Sequence, residues 1–360
     1  MSLSTLLSRA HRVVEARFRS MVPTSCTLFF SLSDGKERAH IVRATGTDFQ
    51  RVWQDGSRSC QREAQYRKLD VCWLRIDRVT AFEELRWREL SERLSKTKRN
   101  YFRFGLSLDG ELKFAFLEQE LNANAMLYLG SDKDCAGVNE KNFAAYAKQR
   151  FGQKLALDFS AETPVWLFAH DGAFFSDDSL VASLPAGMEA ALWLSGPTDT
   201  RSAWQDPLNL NAGRRCIESL QADDVLALID SSACFLSRQV KKHGQFIYGH
   251  FPCFGRTIGT YNALRHASSI YSMLEGWELT QDKTLLAAIR RALDYLVKIL
   301  IRRYPQADGT TLAFNVDING EIKLGANAVS LLALVKYDEL TGDTQHRALM
   351  EQLALGIARM

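Results

Sequence analysis

The chain has 360 residues, with 45 Lys and Arg against 42 Asp and Glu and a formal net charge of +3. That length is natural for two cores rather than one, and so even a charge balance implies neither an obligatory nucleic-acid partner nor attraction to a membrane surface. No apolar run approaches the ~18–20 residues that cross a bilayer, and Arg9, His11, Arg12 and Arg17 interrupt the N-terminal segment too early for a signal peptide. A cytoplasmic location without membrane insertion is expected. The seven cysteines are scattered and form no C-x-x-C pair, which suits reduced thiols.

Leu6, Leu7, Val13, Val14 and Phe18 recur at helical spacing and predict an opening helix over residues 3–20. Strand-like runs follow in pairs, each pair divided by Asp-Gly: Asp34-Gly35, Asp109-Gly110 and Asp171-Gly172. Asp-Gly takes the positive φ angles of tight hairpins, so three such pairs predict an antiparallel sheet. Thr80 and Glu83 have capping-box spacing and predict a helix from there to about Lys98. Residues 139–151 read as another helix, closed by Gly152. Hairpins mixed with helices argue for α+β rather than alternating βαβ units.

The turn-rich stretch 195–207 marks a boundary. The expected organisation is an α+β domain over residues 1–200 and an all-α domain of antiparallel helix hairpins over residues 206–360. In the latter, helices are predicted over 222–241, 261–279, 283–303, 326–341 and 344–359, with a small hairpin through Asn319-Gly320.

The second half repeats itself. The run from Leu264 aligns with the run from Gly325, and Glu278-Leu-Thr-Gln-Asp282 aligns with Glu339-Leu-Thr-Gly-Asp343, both at an offset of 61 residues. Each unit reads as a helix with small residues on one face, a capped turn and a second helix. Such a pair cannot bury its apolar face alone and must stack on another. In these residues the segment 245–360 resembles the (α/α) toroids, the six-hairpin superfamily of glycoside hydrolases, polysaccharide lyases and sugar epimerases. The resemblance implies a carbohydrate ligand, an acidic polysaccharide or its precursor, and one of those three activities. The segment is too short for a full ring. That shortfall supports the alternative of a non-catalytic helical-repeat module that binds a protein partner or a glycan in an envelope-biosynthesis assembly.

The densest polar and aromatic cluster is Phe246–Arg256 followed by Tyr261–His266. Aromatic faces cover the C–H faces of a sugar ring, and Arg holds carboxylate or hydroxyl groups. Tyr248, Arg256, Tyr261 and Arg265 are therefore the candidate substrate-binding residues. His250 and His266 are candidate bases for a lyase or epimerase, and Glu275 and Asp317 are candidate glycosidase carboxylates. His250, Cys253 and His266 lack the spacing and fourth ligand of a zinc site, and no nucleotide-binding glycine motif is present. Neither a metal nor a cofactor is expected. The basic run Arg93–Arg103 reads as a solvated helix end rather than a nucleic-acid contact. Glu118, Glu120, Asn122 and Asn124 stand beside apolar residues; ordinary surface exposure is the expectation, and the lining of a cleft between the domains the alternative.

Overall fold

The computed structural model describes residues 2–18, 26–35, 38–96, 102–129, 137–176, 180–186 and 219–360. The expected boundary at 195–207 lies outside them, as does the basic stretch 97–101. The chain falls into two compact units, Met1–Cys216 and Ile217–Met360.

The first unit opens with α1 (Leu3–Phe18), β1 (Cys26–Ser33), β2 (His40–Gly46) and α2 (Phe49–Arg67). Asp48 caps α2, its carboxylate accepting the Arg51 N–H at 2.8 Å. Next come β3 (Trp73–Arg86), α3 (Trp87–Lys96), the short β4 (Gly105–Ser107) and β5 (Ala115–Phe116), and α4 (Glu118–Ala123). The unit closes with α5 (Glu140–Phe151), β6 (Pro164–Ser176) and β7 (Leu180–Ala186). The strands form one seven-stranded antiparallel sheet in the order β2-β1-β3-β6-β4-β5, with β7 also paired to β6.

Alternation along the strands divides the sheet's two faces. Leu28, Phe30, Leu32, Leu74, Ile76, Ala173 and Phe175 pack against Leu6, Leu7, Ala10 and Val14 of α1 and Val52, Trp53, Cys60 and Ala64 of α2. On the other face Phe29 and Phe168 gather Leu112, Ala115 and Leu117. Edge-to-face contacts of Phe143 with Trp87, Phe116 and Phe159 fasten α5 beside α3 and β5.

Two expectations fail here. Thr80–Glu83 does not start a helix: it lies within β3, which pairs with β6 on both sides of an irregularity at Thr80, and the helix begins only at Trp87. Asp171-Gly172 does not turn the chain either, because β6 runs straight through it. Gly172 is required for close approach instead. A Cβ there would lie 2.7 Å from Asp77 Oδ1 and 3.0 Å from Arg75 Nη2. At Asp109-Gly110 the strands do reverse, through a wider loop in which the Asp109 carboxylate accepts the N–H groups of Glu111, Lys113 and Phe114.

The second unit contains α6 (Ala222–Gln239), a two-stranded ribbon of β8 (His250–Phe251) and β9 (Arg256–Thr257), α7 (Ala263–Thr280) and α8 (Lys283–Tyr295). It continues through a π-turn (Leu296–Leu300), β10 (Ile301–Pro305), β11 (Thr311–Asn315), α9 (Leu324–Thr341) and α10 (Arg347–Ala358). Helices α7 and α9 start and stop 61 residues apart, the offset of the repeat. They pack on each other, each beside its own second helix, and α6 lies against α7 and α8. The shared core includes Ile270, Met273, Leu274, Ile289, Ala292, Ala333, Leu334 and Leu353.

Both repeat turns close on a left-handed residue, Gln281 in the first and Gly342 in the second. The helix expected over 283–303 stops at Tyr295, and the chain then enters β10, which pairs with β11. The hairpin expected through Asn319-Gly320 contracts to a tight turn with a single bridge, Val316 to Ile322. No described helix is long and apolar enough to cross a membrane.

Candidate functional site

In the second unit the chain leaves α6 through a turn at Gly244, returns as Phe246–Gly249, forms the β8–β9 ribbon, and re-enters the helical stack at Asn262. The Ile247 N–H donates to the Gln239 carbonyl and the Ile258 N–H to the Gly249 carbonyl. Asn262 caps α7 by accepting the Arg265 N–H at 3.0 Å. These segments enclose a cleft of about 340 Å³, a volume typical of small-molecule sites.

Five of the eight residues singled out from sequence line this cleft: Tyr248, His250, Tyr261, Arg265 and His266. Arg265 is exposed, and its guanidinium lies 5.3 Å from the centre of the Tyr248 ring. No described carboxylate is paired with it. His250 is exposed on β8 at the rim. Arg256 stands on β9 and packs over Phe251 and Phe254, at 5.6 and 5.3 Å from their ring centres.

His266 is 2% exposed and bonded on both sides. Its Nε2 faces the Ala292 carbonyl at 2.9 Å, which can only accept, so Nε2 carries the proton. Nδ1 then accepts from the Tyr261 hydroxyl at 2.6 Å, and that hydroxyl accepts the Phe246 N–H at 3.0 Å. Burial lowers the imidazole to about 4, against a smaller opposite effect of the Ala292 bond. Burial also raises the Tyr261 phenol. The chain Phe246–Tyr261–His266–Ala292 leaves no proton acceptor open, and its geometry fixes the loop to α7 and α8.

Glu275 and Asp317 do not line the cleft. Glu275 is exposed farther along α7. Asp317 is buried and accepts the N–H groups of Ala263 and Ile318 at 3.2 and 2.9 Å, which fastens the tight turn to the first residue of α7. Among the described residues no group of three or more His, Cys, Asp or Glu side chains is placed to hold a metal ion.

The first unit brings together a group that sequence reading missed. Asp77 on β3 is fully buried. Its carboxylate accepts from Arg75 Nε and Nη2 at 2.8–3.0 Å and faces His170 Nδ1 on β6 at 2.9 Å. Burial alone would raise the carboxyl, yet Arg75 and His170 bring it down to about 2. Glu118 on α4 is also fully buried, neither oxygen has a hydrogen-bond partner, and burial raises its carboxyl despite His170 and Arg75. The one sequence signal was Arg75-Ile-Asp77, two charges at alternate positions of a strand. Of the segment 118–124, Gln119 and Glu120 border a cleft, which lies within this first unit against the sheet, whereas Glu118, Asn122 and Asn124 are not part of its lining.

Compared with known proteins, the chain matches no family model, no curated protein and no solved structure.

Proposed function

We propose that the helical unit binds an acidic carbohydrate in the cleft of Tyr248, Tyr261 and Arg265. The observation that carries this reading is the exposed Arg265 guanidinium on the Tyr248 ring at a cleft of sugar size. A uronate carboxylate pairs with a guanidinium in a planar, two-point contact, and the ring face lies on an aromatic side chain. The resemblance of the repeat to six-hairpin glycan-processing proteins points to the same ligand class. For turnover, His250 is the rim side chain with a ring nitrogen open to substrate, which favours lyase or epimerase chemistry. Hydrolysis by two carboxylates is less well supported, because Glu275 and Asp317 stand away from the cleft.

The experiment is calorimetric titration of the full chain with tri-galacturonate and with the neutral trigalactoside. Binding of the acidic oligomer should fall about 10- to 100-fold in Arg265→Ala, the worth of one charge-assisted contact, with the circular dichroism spectrum unchanged. Equal affinity for both sugars, or full retention in Arg265→Ala, would refute the assignment. A non-catalytic module is the second reading. It rests on the exposed apolar residues Leu226, Leu228 and Phe235 of α6, the last 55% exposed. It predicts binding without product.

A further inference from the structure

The sheet face turned away from α1 and α2 carries a second cleft, of about 360 Å³. Its floor is a row of register partners across four strands: Ile41 on β2, Ser31 on β1, Arg75 on β3 and Phe174 on β6. On one side Trp73 stacks on Phe174, with ring centres 5.2 Å apart and planes 10° from parallel. Opposite stand Gln119 and Glu120 of α4, Tyr146 of α5, and Arg38. The Arg38 guanidinium lies 5.2 Å from the centre of the Tyr146 ring and donates to Asn124 Oδ1 at 2.7 Å.

Two features mark this as a built site rather than a packing defect. The Ser31 side chain is 6% exposed, lines the cleft, and its hydroxyl has no hydrogen-bond partner. Such a group costs stability unless something fills its bond. The surrounding charges are also held rigidly. Asp77 grips Arg75 from below and is itself backed by His170. Glu120 accepts the Tyr146 hydroxyl at 2.7 Å and Arg150 Nε at 2.9 Å on one oxygen, and the Leu117 N–H at 2.8 Å on the other.

The charges leave a surplus. Arg75 is matched by Asp77, with the Glu118 carboxyl, raised by burial, 4.0 Å away, and Arg150 by Glu120, whereas Arg38 donates to two uncharged oxygens, those of Asn124 and Ala123. Among the described residues the Arg38 charge at the wall therefore has no carboxylate partner. A dianion such as phosphate would exceed that surplus and meet the Glu120 carboxylate, with Asp77 behind Arg75.

We propose that this cleft binds a small organic monoanion, a carboxylate carried on a flat ring. The carboxylate faces Arg38, Arg75 and the Ser31 hydroxyl, and the ring lies along Trp73 and Phe174. The fixed Asp77–Arg75 pair spares the ligand the cost of ordering one of its two cations.

The test uses the full chain, with indole-3-carboxylate, its neutral amide and inorganic phosphate as probes, followed by calorimetry and saturation-transfer NMR. The expected result is saturable binding of the carboxylate and at least tenfold weaker binding of the amide. Arg38→Gln should weaken binding at least tenfold, whereas Arg88→Gln, which removes a surface cation of the same unit, should not. If Arg38→Gln does not fold, Trp73→Ala decides, since loss of the ring contact must also weaken binding. No saturable binding of indole-3-carboxylate, undiminished affinity in Arg38→Gln or Trp73→Ala, or tighter binding of phosphate than of the carboxylate would overturn the proposal.

Discussion

Acid should unfold the helical unit through His266. The imidazole is 2% exposed and donates from Nε2, and burial holds it at about 4 against its ordinary 6.5. Between those values the unfolded chain takes up a proton that the folded unit refuses, so stability falls as pH falls from 6.5 toward 4 and is flat, for this group, above and below. The span of 2.5 pH units corresponds to roughly 3 kcal/mol.

Urea unfolding followed by fluorescence of Trp277, the one tryptophan of residues 217–360, measures it at pH 7, 5.5 and 4.5. His266→Gln should be less stable at pH 7 yet show a shallower pH dependence, the difference in slope being the His266 contribution. His346, also held down by burial, and the lowered carboxyls of Asp338 and Asp343 titrate in both proteins and cancel. An NMR titration supplies a direct reading. If His266 in the folded protein titrates near 6.5, or if the two slopes coincide, the buried neutral imidazole is wrong.

Three further substitutions probe the same structural reasoning. Tyr261→Phe removes the hydroxyl between Phe246 N–H and His266 Nδ1, and should cost the helical unit about 2–3 kcal/mol in urea unfolding. Asp77→Asn leaves the mostly buried Arg75 charge with only the Glu118 carboxyl 4.0 Å away; a loss of about 3 kcal/mol or more is expected in the first unit, measured by the same method on its own tryptophans. Gly244→Ala places a Cβ 2.1 Å from the Arg291 carbonyl oxygen at φ +93°, and should lower stability by roughly 3 kcal/mol or more; a neutral result would show that the turn after α6 relaxes freely.

Local patterns were readable where their cause was local. Helix α7 and its copy α9 share a 61-residue offset because each is defined by its own small-residue face and turn. The residues around Tyr248 to His266 meet because they flank a single helix start. Asp171-Gly172 misled because a glycine can serve two purposes, turning a chain or admitting a neighbour, and only the alignment of β6 with β3 distinguishes them. Thr80–Glu83 misled for a related reason, since pairing with β6 outweighs a helix-start signal. The cleft of Arg38 and Arg75 draws on β1, β2, β3, β6, α4 and α5 at once, so no short window of sequence announces it.

The buried pair on β3 also acts as an alignment key. Arg75 and Asp77 alternate with Leu74 and Ile76, which face α1 and α2. If β3 slid by one residue against β1, both charged side chains would point into that aliphatic layer, among Leu6, Val14 and Phe30, with no partner waiting. Each mispaired charge would then cost several kcal/mol, while the correct pairing gives both of them Gly172's vacant space and gives Asp77 the His170 ring. The residues least welcome in a protein interior thus select one strand pairing from all those that the apolar residues alone would accept.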